Sequence, residues 1–142
     1  MLVAEILKDK GEAVHTIGPD VSLGEAARIL TDRRVGALIV EEDDAVVGVL
    51  SERDIVRAVA VAAGDALQQP VSRHMTAEVI FAVPADTVDT LMGRMTDRRI
   101  RHLPVLRDGR LAGVVSIGDV VKSCIAEATS EAEGLRNYIT AG

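Results

Sequence analysis

The chain has 142 residues, 48% of them apolar but only 1% aromatic, so its core has to be built from Val, Leu, Ile and Ala. Sixteen basic against 22 acidic residues leave a net charge of −6, which argues against a general nucleic-acid or membrane-surface binder, and base-stacking rings are missing. One cysteine, Cys124, excludes an internal disulfide framework; with no signal-like apolar start and no run long enough to span a bilayer, the expectation is a soluble, cytoplasmic protein.

In chain order, Val3-Ala4-Glu5-Ile6-Leu7 is a lead-in, followed by an apolar run from Ala13 to Ile17 that Pro19 stops, the pattern of a strand entering a turn. Ser22-Leu23-Gly24-Glu25 has capping-box spacing, and Leu23, Ala26, Ala27 and Leu30 continue at helical period until about Arg34. Two apolar runs, Ala37 to Val40 and Val46 to Leu50, flank an acidic turn at Asp43-Asp44, and a second helix is expected from Ser51 to about Ala63. A short polar linker, Gly64 to Pro70, leads to Val71-Ser72-Arg73-His74-Met75, which resembles the first lead-in.

From there the pattern starts again. Residues 14–58 recur without a gap at 79–123, an offset of 65, whereas the connection after the lead-in is three residues longer in the first copy. A strand is expected at Val79 to Val83, then a Thr87-capped helix through Val88, Leu91, Met92 and Met95 to about Arg99. The runs Leu103 to Leu106 and Leu111 to Val115 follow around Asp108-Gly109, and a helix starts at Ser116. A repeat this short cannot bury its own apolar face, so the two copies are expected to pack together. The last helix keeps going: Val121, Ile125, Ala128, Ala132, Leu135 and Ile139 step at heptad spacing, either a seam for self-association or a tail folded back on its own domain.

Two Ser-x-x-Asp motifs, Ser51 to Asp54 and Ser116 to Asp119, fall at the starts of the repeat-ending helices. Each reads as a capping box, and each also sets a carboxylate at an exposed helix N-terminus. Arg101-His102 replaces Gly36-Ala37 of the first copy, and Arg53 is matched by Gly118, so the copies share a framework and differ in charge. His15, His74 and His102 lack ligand spacing, and no phosphate-binding glycine loop is present.

The tandem unit, with Gly48-Val49-x-Ser51-x-x-Asp54 and Gly113-Val114-x-Ser116-x-x-Asp119, the Val71–Thr76 lead-in and Ile100-Arg101-His102-Leu103-Pro104-Val105, resembles the cystathionine β-synthase (CBS) domain pair, or Bateman module. The resemblance implies an α+β fold (α/β-type repeats) of two β-α-β-β-α repeats packed with pseudo-twofold symmetry, plus an extended C-terminal helix. Its boundaries would be 1–68, 69–126 and 127–142. It further implies a regulatory, non-enzymatic module binding an adenosine-containing ligand (AMP, ADP, ATP, NAD or S-adenosylmethionine) in the cleft between repeats, as a homodimer acting on another protein. By the same likeness Asp54, Asp119, Ser51 and Ser116 would hold ribose, Arg53, Arg101 and His102 phosphate, and Ala77, Val79, Ile80 and Pro104 would flank adenine. No cofactor or metal is called for. The rival reading is a ligand-free structural or interaction dimer whose boxes only cap.

Overall fold

A computed structural model describes residues 1–141 of the chain. Its elements are α1 (Val3–Lys10), β1 (Thr16–Ile17), α2 (Leu23–Arg33), β2 (Ala37–Glu42), β3 (Ala45–Ser51), α3 (Glu52–Ala62), α4 (Val71–His74), α5 (Val88–Arg98), β4 (His102–Arg107), β5 (Arg110–Ser116) and α6 (Ile117–Ala141). They gather into a contiguous unit, Ala13–Ile80, and a split unit made of Met1–Glu12 and the chain from Phe81 on. These units do not follow the repeat boundaries at 68 and 69, because each repeat gives up its lead-in helix to the other's hairpin.

In the contiguous unit β1 runs parallel to β2 through Thr16↔Ile39 and Ile17↔Val40, and β2 turns back antiparallel into β3. The turn residues Asp43 and Asp44 both take positive φ, 52° and 61°, as a two-residue hairpin requires. Helix α2 starts on Ser22, whose Oγ accepts from the Glu25 amide at 3.2 Å, but the expected box is only half made, since the Glu25 carboxylate faces Arg28 at 3.3 Å. It ends on Arg34 in the left-handed region. Ile17, Leu23, Leu30, Leu38, Val40 and Leu50 form the core, each worth about 1.5–3 kcal/mol when buried. The polar stretch after α3 is less loose than its composition suggests. A 3₁₀ turn, Ala63–Gln68, lays Ala66 fully into this core, where a small side chain suffices. Helix α4 then docks through backbone bonds from Val71 to the Val21 carbonyl and from Ser72 to the Pro19 carbonyl.

The split unit repeats the hairpin, with Asp108 and Gly109 at φ 54° and 77° between β4 and β5. Its first strand shrinks to a single parallel bridge, Ala82↔Val105. The chain turns away just afterwards, because the Asp86 carboxylate accepts from the Val83 amide at 2.9 Å and from Arg94 at 2.8 Å. Helix α5 runs from a Thr87 cap to Arg99, again left-handed. Helix α1 is tied down by bonds from Val3 to the Asp86 carbonyl and from Ala4 to the Pro84 carbonyl, and its Val3 and Leu7 are buried. Helix α6 buries Val120 and Ser123, and beyond them Ile125, Leu135 and Ile139 are 61, 63 and 69% exposed. The tail therefore does not fold back. Among the described residues no helix is long and apolar enough to cross a membrane.

Candidate functional site

Both hairpins deliver a Ser-x-x-Asp motif to the start of a helix. At the β3–α3 junction the Asp54 Oδ2 accepts from the Ser51 amide at 2.9 Å and the Ser51 hydroxyl at 3.1 Å, while the Ser51 Oγ accepts from the Asp54 amide at 3.4 Å. The capping box is complete. The next amide, that of Glu52, donates to the Gly36 carbonyl at 3.1 Å. Arg57 stands 4.0 Å from the Asp54 Oδ1 on an arm that is 75% exposed, a weak pairing. A carboxylate has about four acceptor directions, so Asp54 retains capacity toward hydroxyl donors beyond the cap. Arg53, beside it, is exposed.

The β5–α6 junction has the same frame. Asp119 Oδ2 accepts from the Ser116 amide at 2.8 Å and its hydroxyl at 3.0 Å, and Ile117 donates to the Arg101 carbonyl at 2.8 Å. One participant has no counterpart in the other unit. The Lys10 ammonium, from the last turn of α1, reaches the same Asp119 oxygen at 2.6 Å and the Val114 carbonyl at 2.8 Å. Burial opposes ionisation of Asp119, but the Lys10 and Ser116 hydrogen bonds and the Lys10 charge outweigh it, so its pKa lies below the ordinary carboxylate value.

The expected site residues divide between the units. Ser51, Arg53 and Asp54 belong to the contiguous unit, as do Ala77, Val79 and Ile80; Ser116, Asp119, Arg101, His102 and Pro104 belong to the split unit. Thr76 exchanges both backbone bonds with Val49, and the antiparallel sense sends Ala77 toward Gly48 rather than toward Ser51. Ala77 is exposed, Val79 and Ile80 are half-buried, and Pro104 is buried in β4 with its carbonyl accepting from Ala82. Arg101 is exposed, and half-buried His102 opens β4. Sequence reasoning missed Lys10, although the three-residue longer connection in the first copy was its trace. Among the described residues no group of His, Cys, Asp and Glu could hold a metal ion.

A family model described as the CBS domain matches residues 3–61 and 71–126. The CBS domain-containing protein CBSX3, mitochondrial, of Arabidopsis thaliana is 34% identical over 99% of this chain and 72% of its own length. Among solved structures, the CBS-domain containing protein ATU1752 from Agrobacterium tumefaciens is 48% identical, covers 87% of this chain and 98% of its own, and superposes with a TM-score of 0.85. Two further neighbours were solved with ligands. The CBS domain pair of MJ0100, with 5′-methylthioadenosine and S-adenosyl-L-methionine, is 26% identical over 89% of this chain and 98% of its own (TM-score 0.79). The CBS domain protein PAE2072 from Pyrobaculum aerophilum, with AMP, is 29% identical over 84% of this chain and 89% of its own (TM-score 0.74).

Proposed function

The chain belongs to the CBS-domain family, and from that premise we propose that it is a regulatory module that binds an adenosine-containing ligand and passes the bound state to a partner protein. The observation that supports this most directly is the pair of junction carboxylates, Asp54 and Asp119, each held by its own Ser at a helix start. An ionised carboxylate fixed in this way suits two vicinal ribose hydroxyls, because its orientation is already set before the ligand arrives. Arg53, Arg101 and His102 are the phosphate-facing groups in this reading, and Ala77, Val79, Ile80 and Pro104 the adenine-flanking ones. Ligand binding alters output only through unequal affinity for two states of the module.

The completeness of both capping boxes favours one rival, a ligand-free interaction module. A thermal-shift panel of AMP, ATP, NAD and S-adenosylmethionine separates the two, since a ligand that binds only the folded protein raises the melting temperature. Asp54→Ala and Asp119→Ala each remove a cap worth about 0.5–2 kcal/mol. At least one of them, still folded, should also lose about 1.5–3 kcal/mol of binding, the worth of hydrogen bonds to a charged group. No ligand-induced shift across the panel leaves the capping reading standing.

A second copy of the chain is the partner that α6 fits. With Val121 and Ile125 as core positions of a heptad, Glu131 and Arg136 fall on flanking positions that meet across a parallel pair, one acidic and one basic. The homodimer proposed here uses that seam.

A further inference from the structure

We infer that Lys10 withholds Asp119 from the ligand, so that the adenosine-containing ligand loads at Asp54 alone. The inference rests on the function proposed above and names which of its two carboxylates is open.

The two junctions share the contacts of the Ser with its Asp and differ in the cation beside the carboxylate. Asp54 and Asp119 each receive the amide and hydroxyl of their own Ser at 2.8–3.1 Å. Only Asp119 then receives an ammonium, at 2.6 Å. Ribose hydroxyls are neutral donors, and exchanging a charge-assisted bond for neutral ones is unfavourable. Asp54 has only Arg57 nearby, at 4.0 Å and on its other oxygen, from a largely exposed side chain.

Lys10 is also fixed at its post. Its ammonium donates to the Val114 carbonyl at 2.8 Å, whereas the matching carbonyl in the contiguous unit, Val49, takes the Thr76 amide at 2.9 Å. Lys10 thus fills the edge position that Thr76 fills, through an isolated bridge, in the other copy. The source is chain length. Helix α4 stops at His74 after four residues, but α1 runs for eight and ends on Lys10. The extra turn belongs to the longer connection seen in the first copy.

Lys10 and Asp119 also share the wall of a cavity of about 150 Å³ with Ile6, Asp9, Lys122 and Ser123.

Calorimetric titration with AMP, and in parallel with S-adenosylmethionine, tests the inference on the full chain. The wild-type protein should bind one ligand per chain. Asp54→Asn should weaken that binding by at least about tenfold. Lys10→Met should admit a second ligand per chain, a site that survives in the Lys10→Met, Asp54→Asn double variant. Melting curves confirm that each variant is folded, and Lys10→Gln replaces Lys10→Met if that protein is not. Two ligands per wild-type chain, an unaltered stoichiometry in both Lys10 variants, or undiminished binding by Asp54→Asn would each overturn the inference and leave ligand sensing intact. Failure of every protein to bind either ligand would overturn the proposed function itself, and the inference with it.

Discussion

Adding one methyl group at Gly48 should separate the two lead-ins energetically. A Cβ built at Gly48 meets the Met75 sulfur in hard overlap, the Met75 Cγ at 2.8 Å and the Thr76 carbonyl oxygen at 3.1 Å. Met75 can swing away, but the Thr76 carbonyl is bonded to the Val49 amide at 3.0 Å and cannot retreat without opening the bridge. At Gly113 the added Cβ meets the Leu7 Cδ2 at 2.6 Å, with the next atoms at 3.6 Å or beyond. There the neighbour is the end of a side chain that a rotamer change relieves. Overpacking costs about 1–3 kcal/mol, and replacing Gly by Ala inside a strand returns about 0.5–1 kcal/mol of backbone entropy. Gly48→Ala should therefore lose about 1–2 kcal/mol net and Gly113→Ala less than about 1 kcal/mol. Urea unfolding reads both. In a double-mutant cycle, Met75→Ala should relieve Gly48→Ala by about 1 kcal/mol. Equal costs at the two glycines, or strict additivity with Met75→Ala, would refute the account of how the lead-in is seated.

Three further outcomes follow from particular contacts. Asp119 ionises more readily in the folded protein than in the unfolded chain, so its contribution to stability is complete above about pH 4 and is lost as pH falls through its lower folded value; urea midpoints between about pH 2 and 6 should show a shallower acid loss in Lys10→Met, and an unchanged slope would contradict the ion pair. Arg53→Ala should weaken AMP binding by about five- to tenfold while leaving adenosine alone, and equal weakening of both would place Arg53 outside phosphate recognition. Ending the chain at Ala128 should leave the fold intact, because the side chains of residues 129–140 are exposed; light scattering should fall from twice the 15.1 kDa chain mass to the mass of one shortened chain, and a dimer that survives the truncation would mean that the seam is not its basis.

Features decided within a few residues were readable beforehand. Ser51 and Asp54, like Ser116 and Asp119, are three apart, and the boxes they form need nothing beyond one helical turn. The helix ends near Arg34 and Arg99, and the hairpin turn at Asp108-Gly109, are local in the same sense. What escaped is long-range choice. The likeness of Val3–Leu7 to Val71–Met75 says that the two segments are interchangeable in kind, not which hairpin each will cover; Leu7 meets Gly113 and Met75 meets Gly48. Lys10 was invisible as a site residue because its carboxylate lies 109 positions away. Ala66 hid inside a polar stretch, since composition averages over the one residue that turns inward.

The exchange of lead-ins also bears on how the chain is made. Translation proceeds at about 5–20 residues per second, and the contiguous unit has all its parts once Ile80 has emerged. Helix α1, synthesised first, has to wait for β5, which ends at Ser116, before it has a surface to cover. Throughout that interval Val3, Ile6 and Leu7, all buried at the end, are apolar side chains with no place to go. Of the helices described, the first to be synthesised is thus among the last to dock, and a nascent chain halted between these points presents a finished unit beside an adhesive, undocked α1, the kind of segment that chaperones hold.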